Sequence, residues 1–341
     1  MSIISRFLIV SLFGICLHGC TNKTSVYRIK IDYSKSVEYS VPSELSCLHG
    51  IQGDIRHTEI LEDGNAVILA GQYLYLYDFQ SDSVLFRYSN RGRKKDEYIS
   101  ISDFWIEHDG EISLYDMESR KILTFCEFDN IASKIRILTA SHGYVFDELA
   151  PLTDSSYVGK CTYGVGEIPE LCVYDKDYSA VSSIGDNFLR SGMKASYPFA
   201  PIDNGALYCG CFSYDIYQIS GTDCVKKYQI DFAKGDIHRN RYDSEYEIIQ
   251  ALNRELSDKV VITTIANIYE DDESLLFRYS DNSFEAYLAV YEKSTSLVQS
   301  VHLIPPQNCQ VQQINIKEPY LYIWMSGEGG DAMVYRTTDI F

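Results

Sequence analysis

The chain is short of positive charge. Only 30 Lys and Arg stand against 48 Asp and Glu, a formal charge of −18, so a phosphate backbone would be repelled and no nucleic-acid partner is expected. Proline is scarce at 8 residues and glycine is held to 21, which rules out collagen-like and linker-like chains. Beyond the first twenty residues no apolar run approaches the length of a membrane-spanning helix. The pairings His-x-x-x-His and His-Glu-x-x-His are missing, as are a Gly-x-Ser-x-Gly elbow and a phosphate-binding loop, and the seven His are scattered. No catalytic residue, metal site or cofactor is therefore assigned. What the chain has in excess is aromatic: 28 Tyr and 15 Phe, residues that suit pleated, half-buried strands. Hydrophobic residues at 45% and charged residues at 23% exclude wholesale disorder. An all-β protein is expected.

The N-terminus reads as an address. After Arg6, Phe7 to Leu17 is almost purely apolar, yet too short to span a bilayer. It ends Leu17-His18-Gly19-Cys20, which resembles the bacterial lipobox, although His18 replaces the usual small residue. The resemblance implies a signal peptide over 1–19, lipidation of Cys20 and a tether over 20–24, which leaves 25–341 to be read, from the repeats below, as a single domain. Acyl chains on Cys20 would make the membrane a partner. With neither an Asp directly after the Cys nor an acidic cluster in Thr21 to Thr24, similarity to such lipoproteins points to the outer membrane, facing the periplasm. Among the remaining cysteines, Cys161 and Cys172 flank Gly164-Val165-Gly166, a hairpin-turn signal, and are placed to face each other. Cys209-Gly-Cys211 has no Cys/His pair at zinc spacing.

The body of the chain repeats. Tyr73 to Tyr88 lies over Glu111 to Cys126 without a gap, setting Tyr77-Asp78 on Tyr115-Asp116. The phrase, an alternating strand ending in Tyr-Asp, a polar turn and a second strand, returns at Leu171 to Asp175 with Val181 to Ile184. It returns more loosely at Ala286 to Glu292, and as a variant from Tyr214 to Phe232. The Asp carboxylates are read as acceptors for turn N–H groups, not as catalytic acids. A hairpin cannot bury both its faces alone, and hairpins recurring at this spacing indicate propeller blades. Six blades leave about 54 residues each after Cys20. The last unit offers three strands, near Gln313–Lys317, Tyr320–Met325 and Ala332–Arg336. The N-terminal strand, in which Tyr27, Ile29, Ile31 and Tyr33 alternate with polar residues, is expected to supply the fourth and close the ring.

One segment breaks the β pattern. Over Asp243 to Asp258, Tyr246, Ile249, Leu252 and Leu256 fall at helical spacing, and Ser244 with Glu247 forms a capping box. This predicts a short helical insertion about 243–258. Before it lies His238-Arg239-Asn240-Arg241; His238, Arg239 and Arg241 are the candidate ligand-binding residues, set against a solvated loop that balances nearby acids. Glu270-Asp271-Asp272-Glu273 lacks alternating oxygen ligands and a glycine, and reads as a turn, not a calcium loop.

The order of these pieces also resembles a known family. Ser89 to Tyr98, then Ile101-Ser102-Asp103-Phe104 and Ile112 to Asp116, are similar to the blade junction of the six-bladed β-propeller lipoproteins of Bacteroidetes. In that family the junction reads approximately Gly-x-Gly-Pro-Gly-Glu-Tyr; Gly92, Glu97 and Tyr98 match, while Arg93 to Asp96 depart and put its tight turn in question. The resemblance implies fold and lipoprotein status and carries no activity. The functional expectation is an envelope binding module for a glycan, peptide or protein. The alternative is a hydrolase or lyase acting on exported glycans or peptides, its site assembled at the channel mouth.

Overall fold

Strands apolar on both faces must be covered on both sides, and the Leu- and Tyr-rich runs of this chain are covered by neighbouring sheets. The structure, a computed structural model, describes residues 26–42, 46–126, 132–138, 145–163, 169–184, 197–237, 241–327 and 331–338. Six antiparallel meanders form six blades. Blade I comprises Ile55–Ile60, Ala66–Ala70, Tyr73–Asp78 and Ser83–Tyr88, and blade II comprises Ile101–Ile106, Ile112–Asp116, Lys121–Phe125 and Lys134–Ile137. Blade III holds Val145–Thr153, Ser156–Tyr163, Leu171–Asp175 and Ala180–Ile184; blade IV holds Phe199–Ile202, Gly205–Tyr208, Asp215–Ser220 and Asp223–Asp231. Blade V consists of Ile262–Glu270, Ser274–Asp281, Ala286–Glu292 and Leu297–Ile304, and blade VI begins with Cys309–Lys317, Tyr320–Gly327 and Ala332–Thr337. The first strand of each blade touches its counterparts on both sides, so these six strands surround the axis. Six apolar clusters follow, one between each neighbouring pair of blades. The tyrosine excess is spent there: Tyr75, Tyr77, Tyr88, Tyr98, Tyr115, Tyr174, Tyr208 and Tyr228 are fully buried. The expected six-bladed, all-β fold is the one observed.

Closure comes from the N-terminal segment, but by a different strand from the one expected. Ser46–Cys47 pairs with the outer strand of blade VI, Ser46 opposite Val334 and Cys47 opposite Met333. Tyr27–Lys30 instead runs parallel along the outer edge of blade IV, Tyr27 opposite Tyr228, and Val37–Ser40 does the same on blade V. The alternation of Tyr27, Ile29 and Ile31 is real, since Ile29 and Ile31 are buried and the Tyr27 ring stacks on Tyr228 at 5.2 Å. Alternation states that one face is covered; it does not state which edge the strand joins.

The repeat frame also needs correction. Tyr77-Asp78 ends the third strand from the axis in blade I, whereas Tyr115-Asp116 ends the second in blade II. A gapless alignment matches any strand–turn–strand unit to any other, irrespective of its place in the blade. Because the strands alternate in direction, the two aspartates lie at opposite ends of the propeller. Asp78 caps its own hairpin, accepting from the Gln80 amide at 2.7 Å. Buried Asp116 accepts from the Ile99 amide at 2.6 Å and the Ser119 amide at 3.2 Å, fastening the approach from blade I. That approach is closed despite the departures at Arg93 to Asp96. The Gly92 amide donates to Tyr98 O at 2.8 Å, and a Cβ at Gly92 would collide with the Glu97 carboxylate.

The helical insertion spans Glu245–Asn253, with Ser244 accepting from the Glu247 amide. Its buried face centres on Ile248 and Ala251, with Ile249 and Leu252 alongside, while Tyr246 is 69% exposed. The insertion joins the outer strand of blade IV to the innermost strand of blade V. It therefore lies at the end of the propeller where the innermost strands begin, here the upper face. No described helix is long and apolar enough to cross a membrane. The expected signal segment and Cys20 lie outside the described residues.

Candidate functional site

Register shifts occur between the third and fourth strands of blades I, III and IV, and in five of the six innermost strands, where they fall beside the axis. The pairing of the innermost strands with the second strand shifts register between Ile55 and His57, Ile101 and Asp103, Phe146 and Glu148, Ala266 and Tyr269, and Val311 and Gln313. Such bulges re-aim the following side chain. The residues just past the shift, His57, Asp103, Glu148, Tyr269 and Gln313, all line one axial cavity of about 600 Å³, to which every blade contributes. That volume falls within the range of small-molecule sites.

Blades I and II build the charged part of the wall. His57 donates through Nδ1 to Asp103 at 2.7 Å and through Nε2 to Glu59 at 3.2 Å. Its ring centroid lies 4.5 Å from that of Phe104 and 5.2 Å from that of Tyr197. Burial disfavours the cation, but the charges and hydrogen bonds of Asp103 and Glu59 outweigh it, and the imidazole is pushed up to about 10. At neutral pH His57 is thus an imidazolium with both N–H groups engaged. Arg56, toward the upper face, donates to Ile101 O at 2.8 Å and Ser102 O at 3.0 Å, bridging the two blades.

Tyr197 marks blade IV's approach to the cavity. Its backbone is left-handed, with φ 56°, a conformation costing a bulky residue on the order of 1–3 kcal/mol, and its hydroxyl donates to Arg56 O. In blade V, Asn267 Oδ1 receives the buried Arg278 Nε at 3.0 Å and the Ile314 amide at 3.3 Å. Burial holds the Arg278 guanidinium below its ordinary value. Toward the lower face, Glu270 takes Lys227 and Lys293, each at 2.8 Å, and the Tyr228 hydroxyl. Burial opposes ionisation of Glu270, but the two lysines and the hydroxyl leave its carboxyl below the usual range.

Blade VI closes the wall with amides. Gln313 both accepts from the Thr58 amide and donates to Thr58 O, each at 2.8 Å, and Asn315 donates to the same carbonyl at 3.0 Å. The last blade is stapled to the first beside the axis by side chains 255 residues away from Thr58 or more.

Of the three residues singled out in the sequence, Arg241 alone is among the described residues. His238 and Arg239 are outside the described residues; Arg241 is exposed on the upper face and does not line the cavity. The acidic run is a turn as read, with Asp271 accepting from the Glu273 and Ser274 amides at 2.7 Å each, although Glu270 itself reaches the cavity. Cys161 and Cys172 do face each other, as buried free thiols in hydrogen-bond contact. Among the described residues no group of His, Cys, Asp and Glu is arranged to hold a metal ion. Sequence reasoning missed His57, Glu59 and Asp103. The available signal was a charged residue out of phase in an otherwise apolar first strand, as in Ile101-Ser102-Asp103-Phe104.

Comparison with known proteins agrees with this architecture. A Bacteroides fragilis protein named as exported superposes with a TM-score of 0.65 at 15% identity, covering 91% of this chain and 98% of its own. A member of the DUF4221 family from Bacteroides vulgatus superposes with a TM-score of 0.57 at 7% identity, over 88% of this chain and 95% of its own. At such identities the likeness is one of fold. Among curated proteins none matches the chain. The profile of the DUF5128 family, described as 6-bladed beta-propeller, matches residues 70–335, and the chain belongs to that family.

Proposed function

We propose that the chain is a lipid-anchored binding protein of the bacterial envelope that captures its ligand in the axial cavity. The carrying observation is the set of five bulges that turn His57, Asp103, Glu148, Tyr269 and Gln313 into one cavity shared by all six blades. A propeller needs only apolar blade interfaces for stability; polar groups aimed into a roomy centre cost burial free energy and suit recognition. The address is supported by the apolar run ending at Cys20 and by the exported status of the Bacteroides fragilis relative. Both nitrogens of His57 are committed to carboxylates, which fixes the ring as part of the cavity wall.

Gln312, half-buried on the wall at the blade VI bulge, is the place to plug the cavity. Gln312→Trp is expected to abolish ligand binding with little change in melting temperature; binding that survives the plug rejects the axial site. Separately, Cys20→Ala is expected to release the protein from membranes. Unchanged membrane retention would reject the anchor.

A further inference from the structure

The cavity lining sets carboxylates beside aromatic side chains, and the combination specifies a ligand class. Blades I to III contribute the carboxylates of Glu59, Asp103 and Glu148 together with Trp105, whereas blades IV and V contribute Tyr197 and Tyr269 together with the carboxylate of Glu270. We propose that the axial cavity binds a neutral saccharide, with the C–H face of a sugar ring on the aromatic side chains and its hydroxyls directed at the carboxylates. This rests on the reading of the cavity as a binding site and deepens it.

Three observations lead to that class. First, three of the wall carboxylates hold cations of the protein itself. Asp103 and Glu59 share His57, and Glu270 holds two lysines. An anionic ligand would meet carboxylates in a chain of net charge −18, and a cationic one would compete with His57. An uncharged ligand meets neither obstacle. Second, the carboxylates retain acceptor capacity. A carboxylate offers about four lone-pair positions, and His57 takes one each from Asp103 and Glu59. What suits them is a ligand rich in O–H donors. Third, the innermost strands are poor templates for an extended peptide. Addition of a strand requires a regular edge, and five of the six are broken by bulges beside the cavity. A molecule with an apolar face and a hydroxylated rim fits the remaining requirement, and a short saccharide has both.

The test is calorimetric titration of the chain against neutral trisaccharides of glucose, mannose, galactose and N-acetylglucosamine, a galacturonic acid trimer and an uncharged tripeptide. Wild type is compared with Tyr269→Ala, Glu59→Gln and Gln312→Trp, the fold of each being checked by its melting curve. The expected result is binding of at least one neutral trisaccharide, weakened about tenfold or more by Tyr269→Ala and about threefold to tenfold by Glu59→Gln, corresponding to about 1.4 kcal/mol per decade, and lost in Gln312→Trp. Failure of every neutral saccharide to bind overturns the proposal, as does affinity unchanged by Tyr269→Ala. Preferential binding of the acidic trimer or the peptide, blocked by Gln312→Trp, overturns the saccharide class while leaving the cavity as the site. Binding insensitive to Gln312→Trp overturns both.

Discussion

The innermost strands and the strands behind them follow different rules. Ala66–Ala70, Ile112–Asp116 and Leu171–Asp175 are regular and almost wholly buried, with polar side chains mainly at their ends, where Asp116 and Asp175 cap turns. In the innermost strands the register slips and charged groups sit mid-strand, as at His57, Asp103 and Glu148. The regular strands bury apolar area between blades and would serve any propeller. The irregular ones spend polar groups and backbone strain around a single cavity, which is where a protein departs from local consistency when a function requires it.

The largest way to test the regular part is to remove its N-terminal additions. A chain beginning at Val41 keeps the closing strand Ser46–Cys47 but loses Tyr27–Lys30 and, with it, buried Ile29 and Ile31. Full burial of such a side chain contributes about 1.5–3 kcal/mol, so the loss in chemical denaturation should be about 3–6 kcal/mol. A chain beginning at Ile51 also loses closure and exposes the edge of blade VI, and should aggregate or melt lower still. Equal stability of these two truncations would show that Ser46–Cys47 does not close the ring.

The Tyr-Asp repeat supplies the next contrast. Asp116→Ala strands the partly buried Ile99 and Ser119 amides, each such loss costing about 1–3 kcal/mol when the group is buried, and should destabilise by about 2 kcal/mol. Asp78→Ala removes the same letter of the same phrase from an exposed hairpin and should cost clearly less. Equal losses in urea titrations would mean that position in the blade does not matter.

The two regions also differ in how far they could be read without coordinates. Periodicity reports burial, so the blades, their number and the helix were legible from Tyr75, Tyr115 or Ile249. Edge choice was not: Ile29 and Ile31 alternate alike whether their strand joins blade IV or blade VI. The site was legible least. His57, Asp103 and Gln313 come from blades I, II and VI and meet because of bulges, and a bulge leaves only one residue out of phase. The local density of Arg and His near 238–241 is legible because clustering along the chain is visible, whereas convergence across blades is not.

His57 permits a test of the irregular region by pH. Its folded pKa of about 10 lies above the ordinary value of 6.5, so the stabilisation from its protonation is complete below about pH 6.5 and is lost as pH rises through about 10. A shift from 6.5 to about 10 corresponds in full to roughly 5 kcal/mol at about 1.36 kcal/mol per pH unit, which is the upper bound on the loss. The measurement is the difference in melting temperature between wild type and His57→Gln from pH 6 to 10. A difference that does not shrink over that window would show that His57 is not held as a cation by Asp103 and Glu59.

The smallest expected effect belongs to the exposed basic residue that the sequence favoured. Arg241 stands on the upper face beside the insertion, outside the cavity wall. Substitutions at exposed positions usually change stability by less than about 0.5 kcal/mol, and an isolated surface charge is screened over about 8–10 Å at physiological salt. Arg241→Ala should therefore leave both the denaturation midpoint and affinity for a cavity ligand unchanged, while Glu59→Gln lowers that affinity. The comparison turns on location. A side chain chosen for its charge density on a loop is set against one chosen for its place on a bulged innermost strand. Titration of both variants with the same ligand decides between them. If Arg241→Ala weakens binding and Glu59→Gln does not, recognition belongs to the upper-face loops rather than to the axis.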